Sequence, residues 1–364
     1  HIDSPRLDLK QNPLYEEKEM AYCKTHYYGG IKKYQWTTIP LALHGVVVRR
    51  DGTVVPVRIG EAPGDPQFTV GDLLPHLAGD QAKKTMGSIG SAEQLNLFVG
   101  SRPFGTEEGS DRVKLAMLEI LQEKYGMVEE DFLSAELEVV PAGRARDLGF
   151  DRSMVLGYGQ DDSVCAYTSL VAQLAVAGEE LDRAAVCVLV DKEEIGSVGA
   201  TGMASQFFEN TIAEIMALAG ESSPLRLRRA LTRSRMLSSD VSAGFDPAYA
   251  SVFEAKNSAY LGRGLVFNKY TGSRGKSGSN DANAEFLGHL RKIMDDNHVA
   301  WQTAELGKVD VGGGGTIAYI CALYGMEVVD SGVPVLSMHA PLEIISKADL
   351  YEAVKAYHAF MQEA

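Results

Sequence analysis

The stretch DKEEIGS, Asp191 to Ser197, places two adjacent carboxylates, Glu193 and Glu194, directly after the apolar run VCVLV. Neighbouring like charges repel, so such a pair calls for a cation or for water between it and the rest of the fold. Similar text recurs elsewhere: VPVLSM runs into His339, MLSS into Asp240, GYGQD carries Asp161 into a helical pattern, and the chain opens with His1 two residues before Asp3. A single histidine or aspartate in such a place is more often structural, but five such places are harder to assign to packing. Imidazole and carboxylate without cysteine suit Zn²⁺, Mn²⁺ or Co²⁺. Two His, two Asp and one Glu are too many for one open catalytic site, and suit two ions about 3.5–4 Å apart that share a bridging carboxylate.

From Asp161 onward, apolar strand-like runs (AAVCVLV, VAWQTAE, VPVLSM) alternate with helical patterns (SVCAYTSLVAQLAVAG, NDANAEFLGHLRKIMDDN, KADLYEAVKAYHAFMQ). That alternation predicts an α/β fold with a mostly parallel sheet flanked by helices, whose ligands collect on the loops at the carboxyl ends of the strands. From Leu41 to Val140 the text is β-rich. GVVVRRDGTVVPVRI reads as a hairpin turning at Asp51-Gly52. SDRVKLAMLEILQEKYG reads as a helix capped by Ser110 or Asp111 and stopped by Gly126. The expected organisation is residues 1–40 as the first part of a catalytic domain, 41–143 as a β-rich insert, and 144–364 as the second part.

The chain has 364 residues, 45% hydrophobic and 23% charged, enough for a large core and more than one domain. A net charge of −14 opposes non-specific attraction to nucleic acid or to anionic lipid. Cys23, Cys165, Cys187 and Cys321 form no C-x-x-C pair, which fits buried thiols in a reducing cytoplasm. No run of about eighteen apolar residues suggests a membrane span. Residues are expected to precede His1.

Taken in series, HIDSPRLDLK, YYGGIKKYQW, LLPHLAGDQ, GYGQDD, DKEEIGS, SSD, KYTGSRGK and SMHAPLE resemble the aspartyl aminopeptidase family of dinuclear metallopeptidases along nearly the whole chain. The resemblance implies that His1 and Asp240 bind one metal, that Glu194 and His339 bind the other, and that Asp161 bridges them. It implies Glu193 as general base, with Asp3 orienting the ring of His1, and two divalent ions, zinc before cobalt or manganese, as cofactors. The implied activity is release of N-terminal residues from peptide substrates, with Asp or Glu as a candidate preference. The insert would serve assembly into a homo-oligomer, in the family often a tetrahedral dodecamer.

Lys269, Arg274 and Lys276 in NKYTGSRGKSG are candidates for gripping a substrate carboxylate. His76, in the insert, is a candidate for reaching a neighbouring subunit's site. DVGGGGTIAYI lacks the lysine of a nucleotide loop and reads as backbone shaping the floor of the peptide site. The Arg-rich LRLRRALTRSR reads as a solvated or subunit-contact face. After Asp240 the text DVSAGFDP departs from the histidine-bearing AHAxHP-like continuation common in the family, which bears on the acidic-residue preference and not on the metal site. Two alternatives stay open. One is a broad-specificity aminopeptidase on the same scaffold, the other a non-catalytic shell or binding module.

Overall fold

A computed structural model describes residues 1–105 and 109–364. The chain divides into two compact units. The first comprises His1–Ser4, Arg146–Met338 and Glu343–Ala364; the second comprises Pro5–Ala145 and His339–Leu342.

The second unit is built on strands β1 (Arg6–Glu17), β2 (Met20–Tyr28), β3 (Leu41–Val48), β4 (Val54–Ile59), β5 (Leu97–Gly100) and β6 (Ala135–Pro141), with helix α1 (Arg112–Tyr125). They form one antiparallel sheet in the order β4-β3-β6-β1-β2-β5. The β3–β4 hairpin turns at Asp51-Gly52 as the sequence predicts, with Gly52 at φ 84°, a backbone region glycine enters at no steric cost. β1 and β2, which lie within residues 1–40, pair into this same sheet. Helix α1 ends at Gly126 (φ 64°) as expected, but its start differs. Asp111 lies in left-handed backbone and makes no side-chain cap. The orphan amides of Val113 and Lys114 donate instead to Glu16 Oε2 at 2.7 and 2.9 Å, a cap supplied from another element that local text cannot announce.

The first unit contains β7 (Arg146–Leu148), β8 (Met154–Gly157), α2 (Gln160–Ala175), α3 (Phe207–Leu218), α4 (Pro224–Thr232), β9 (Arg235–Ser239), β10 (Ser242–Ala243), β11 (Leu265–Asn268), α5 (Ala284–Asp296), β12 (Trp301–Thr303), α6 (Ala318–Ala322), β13 (Glu327–Gly332), β14 (Pro334–Leu336), β15 (Glu343–Ser346) and α7 (Lys347–Glu363). Its sheets run β10-β14-β15-β8-β7 and β12-β11-β13-β9. The expected mostly parallel sheet is not what forms. Of the pairings between the named strands of this unit, β10–β14, β11–β12 and β9–β13 are parallel and the others antiparallel. The link between β7 and β8 is too short for a helical crossover and permits only a hairpin.

A second correction concerns AAVCVLV. Residues 184–190 join no strand ladder, and a cavity of about 430 Å³ lies between this run and β9, lined by Val188, Met203, Phe208, Leu231 and Ile317 among others. The run is anchored at its end, where the buried Val190 accepts a hydrogen bond from the Ile2 amide at 2.8 Å.

The main core of this unit packs Phe286, Leu290, Ile293 and Met294 of α5 and Ala353, Ala356 and Tyr357 of α7 against Leu265, Phe267 and Val329 of the strands. The apolar residues of α5 recur at helical spacing, which gives one face to bury. This framework fixes three chain ends that carry the acidic residues: the entry to α2, the exit of β9, and the turn after Val190.

Candidate metal centre

His1 is 5% exposed and Asp3 is 4% exposed. The ring of His1 has both nitrogens engaged. Nδ1 faces the Asp3 carbonyl at 2.9 Å and Asp3 Oδ1 at 3.2 Å. Two acceptors on Nδ1 hold a proton there, so Nε2 is the nitrogen that can bind a Lewis acid once its own proton is displaced. Nε2 stands 3.2 Å from Asp161 Oδ1, 3.7 Å from Asp240 Oδ1 and 3.9 Å from Glu193 Oε2.

Asp161 sits at the start of α2 but not in helical conformation (φ −82°, ψ 99°), after Gly159 in left-handed backbone. Its amide donates to Glu343 Oε2 at 3.0 Å, and its carbonyl accepts from Ser4 Oγ at 2.6 Å. Asp162 is fully buried and accepts from the backbone nitrogen of His1 at 2.9 Å. Asp240 leaves β9 with its amide bonded to the Ser331 carbonyl at 3.0 Å.

Glu193 and Glu194 lie on a single 3-10 turn entered through left-handed Lys192 and left through Gly196. Both of their amides point at one carboxylate: Glu193 N–H donates to Asp3 Oδ1 and Glu194 N–H to Asp3 Oδ2, each at 3.1 Å. Asp3 thus fixes the His1 ring and the glutamate turn together. Ligand atoms of His1, Glu193 and Glu194 lie within 4.8 Å of one another, as do those of His1, Asp162 and Asp240.

Electrostatics at the cluster are lopsided. Burial pushes the Glu193 carboxyl up to about 7, with repulsion from Asp240 adding to the rise and His1 opposing it. Burial and the charge of Asp240 hold Asp162 well above the usual carboxylate range. Burial alone would disfavour a charged His1, but its bonds to Asp161, Asp240 and Asp3 outweigh this and raise its pKa. Carboxylates are crowded here beyond what one imidazolium balances, and a divalent cation relieves that excess.

The donor set fits such an ion. Metal–ligand distances of about 2.0–2.2 Å and a tetrahedral angle place neighbouring ligand atoms about 3.4 Å apart. The 3.2 and 3.7 Å separations of His1 Nε2 from Asp161 and Asp240 bracket that value.

The first unit therefore brings together His1, Asp3, Asp161, Glu193, Glu194 and Asp240 of the expected site residues. His339 belongs to the second unit, where its Nδ1 faces the Gly30 carbonyl at 2.8 Å. A carbonyl partner calls for the ring proton on Nδ1 of His339. His76 is exposed on a short 3-10 turn of the second unit. In the first unit Lys269 and Lys276 are not free cations: both ammonium groups pair with Asp281, Lys276 at 3.0 Å. Lys276 also lies 3.8 Å above the Tyr270 ring. Arg274 is exposed on the same loop, in left-handed backbone at φ 50°.

That loop meets the glycine run backbone to backbone. The Gly272 amide donates to the Gly314 carbonyl at 2.7 Å, and a Cβ on Gly313 would fall 2.0 Å from the Gly272 oxygen. Close approach of two main chains thus accounts for glycine at this point. Sequence reasoning did not single out Glu343, Asp162 or Ser4. The doubled aspartate of GYGQDD and the Ser of HIDSP were the available signals.

The profile of one protein family, Aminopeptidase I zinc metalloprotease (M18), matches residues 1–361. A probable M18 family aminopeptidase 1 of Clostridium acetobutylicum is 61% identical over 361 residues, covering 99% of this chain and 77% of that protein. The crystal structure of an M18 family aminopeptidase from Thermotoga maritima superposes with a TM-score of 0.96 at 46% identity, covering 100% of this chain and 80% of that one. The S. cerevisiae mApe1 dodecamer, at 17% identity and a TM-score of 0.75, covering 99% of this chain and 77% of that one, shares the fold.

Proposed function

The chain belongs to the M18 family of zinc metalloprotease aminopeptidases, hydrolases of peptide bonds, and from that premise we propose that it removes N-terminal residues from peptides at a centre of two divalent ions. Family membership sets aside the non-catalytic reading. The observation that carries the metal reading is the His1 ring. Its Nδ1 is committed to Asp3, while Nε2 faces Asp161 and Asp240 at ligand–ligand spacing. In this reading His1 and Asp240 hold one ion, Glu194 and His339 the other, and Asp161 both. The Nδ1 bond of His339 to Gly30 supports its role, because it presents Nε2 as a ligand.

Two zinc ions, or cobalt or manganese in their place, supply the Lewis acidity that polarises the scissile carbonyl and acidifies water when bound. The chain's own residues do the rest. Glu193 takes a proton from the attacking water at its carboxylate and delivers it to the departing amine. Its carboxylate is free for this because the turn that aims Glu194 at a metal is held by its backbone through Asp3, not by the Glu193 side chain. Asp3 keeps the His1 tautomer and the turn in register throughout.

Preference for N-terminal Asp or Glu is one reading of the side-chain pocket, with Lys269, Arg274 and Lys276 gripping the acid and His76 contributed across subunits. The second reading, broad acceptance, is favoured by a specific observation: both lysines are already paired with Asp281. The proposed assembly is a homo-oligomer, up to the dodecamer that the family resemblance implies. A cytoplasmic location is part of the proposal, supported by the four free thiols. Among the described residues no helix is long and apolar enough to cross a membrane.

The test is reconstitution. Chelator-stripped protein is titrated with Zn²⁺ and assayed on a panel of N-terminal residue reporters. Activity is expected to return with the second equivalent and His339→Ala to retain one ion fewer; full activity after complete stripping would sink the proposal.

A further inference from the structure

We infer that Glu343 is a positioning residue for the metal centre, acting as the hydrogen-bond acceptor that holds the backbone of Asp161 in place. The inference rests on the two-ion reading above and deepens it. Asp161 is the ligand with the most demanding task in that reading, since one carboxylate must serve two ions. Its own local sequence does not hold it: it lies at a helix entrance with non-helical torsions, where the amide has no intrahelical partner. Two buried side chains satisfy its peptide groups from opposite sides. Glu343 Oε2 accepts the amide at 3.0 Å, and Ser4 Oγ donates to the carbonyl at 2.6 Å.

Glu343 is 1% exposed, Asp161 3% and Ser4 8%, so neither bond competes with solvent. Strand pairing brings Glu343 there. β15 runs antiparallel to β8 with Glu343 opposite Gly157, four residues before Asp161. Gly159, between them, takes left-handed backbone at φ 69°, and a Cβ there would come within 3.0 Å of Ser4 Oγ. Glycine at that position thus keeps room for the second half of the clamp.

A buried carboxylate against the Asp161 backbone adds negative charge where negative charge is already costly. Geometry, not charge, is its contribution here, because a neutral amide oxygen could accept the same bond. That distinction makes the inference testable with readouts other than turnover.

Metal-free wild-type protein and the variants Glu343→Gln, Glu343→Ala and Ser4→Ala are titrated with Co²⁺, following the visible absorption spectrum and the dissociation constants by calorimetry. Thermal melts of each metal-free variant confirm that it is folded. Glu343→Gln keeps an acceptor and is expected to bind within about threefold of wild type with an unchanged cobalt spectrum. Glu343→Ala strands the Asp161 amide and is expected to weaken binding by about 10–100-fold, the range for lost outer-shell partners. Ser4→Ala, which loosens the other end of the clamp, is expected to weaken binding in the same direction and keeps the inference open to test should Glu343→Ala not fold. Wild-type affinity in a folded Glu343→Ala, or in Ser4→Ala, overturns it. So does a loss in Glu343→Gln as large as that in Glu343→Ala, which would make charge the contribution. Failure of the wild-type protein to take up two ions would instead count against the underlying two-ion reading.

Discussion

Asp3 Oδ1 accepts the Glu193 amide at 3.1 Å while standing 3.2 Å from His1 Nδ1, so one buried carboxylate joins the His1 ring to a turn 190 positions beyond Asp3 itself. Replacing it removes two supports at once. Asp3→Ala is expected to lower metal affinity by about 10–100-fold and to reduce kcat further, because the Glu193 turn loses its anchor. Calorimetric metal titration beside steady-state kinetics checks both; unchanged affinity would deny Asp3 its role on His1.

Metal uptake should release protons. In the metal-free fold, hydrogen bonds donated by His1 to Asp161, Asp240 and Asp3 outweigh burial and keep His1 protonated above its ordinary range, yet a metal needs the Nε2 lone pair. Binding therefore expels that proton, and affinity rises with pH by about tenfold per unit for each proton displaced. Calorimetry of Zn²⁺ binding in buffers of different ionisation enthalpy reads the number directly, and zero release contradicts the ligation.

Asp330 should make stability pH-dependent. Burial raises its pKa to about 7, with repulsion from Asp240 in the same sense and the Thr316 hydroxyl opposing. The unfolded carboxyl ionises near the ordinary aspartate value of 3.8. Folding thus takes up a proton between those values. The contribution to stability is full below about pH 4, falls by at most about 1.4 kcal/mol per pH unit as the pH rises, and levels off above 7. Denaturant melts of metal-free wild type minus Asp330→Asn, from pH 4 to 8, isolate the slope; a flat difference contradicts it.

The loop lysines give a prediction on selectivity. With its ammonium group engaged by Asp281, Lys276 should not discriminate between substrates. Lys276→Ala is then expected to change kcat/KM for N-terminal Asp and N-terminal Leu reporters by the same factor, within about threefold. A tenfold selective loss on the Asp reporter, about 1.4 kcal/mol, would instead assign the loop to an acidic side-chain grip.

The site was more legible in the sequence than the sheets were. Asp161 opens α2 and Asp240 follows β9, and side chains at such ends stay near one another because the elements themselves pack, whereas Glu193 and Glu194 follow a run that forms no strand and His1 stands ahead of β1. Strand direction has no comparable local mark. The runs that form β14 and β15 read alike whether parallel or antiparallel, and the short connections decided it. AAVCVLV has the composition of a buried strand, but composition does not say whether a neighbour closes against it. Glu343 was not legible because its role depends on the β15–β8 register, and the cap of α1 was not because Glu16 lies 97 residues before Val113. The lysines of KYTGSRGK looked available only because their partner, Asp281, lies beyond the motif.

In the proposed mechanism Glu193 moves protons without holding a metal. Glu193→Gln, prepared beside wild type, tests it most directly through metal content by mass spectrometry and kcat on the same sample. The account predicts two ions per protomer in both proteins and a fall in kcat of about 10²–10⁴-fold in the variant, with KM little changed. Near-wild-type turnover, or the loss of an ion from the variant, would contradict it.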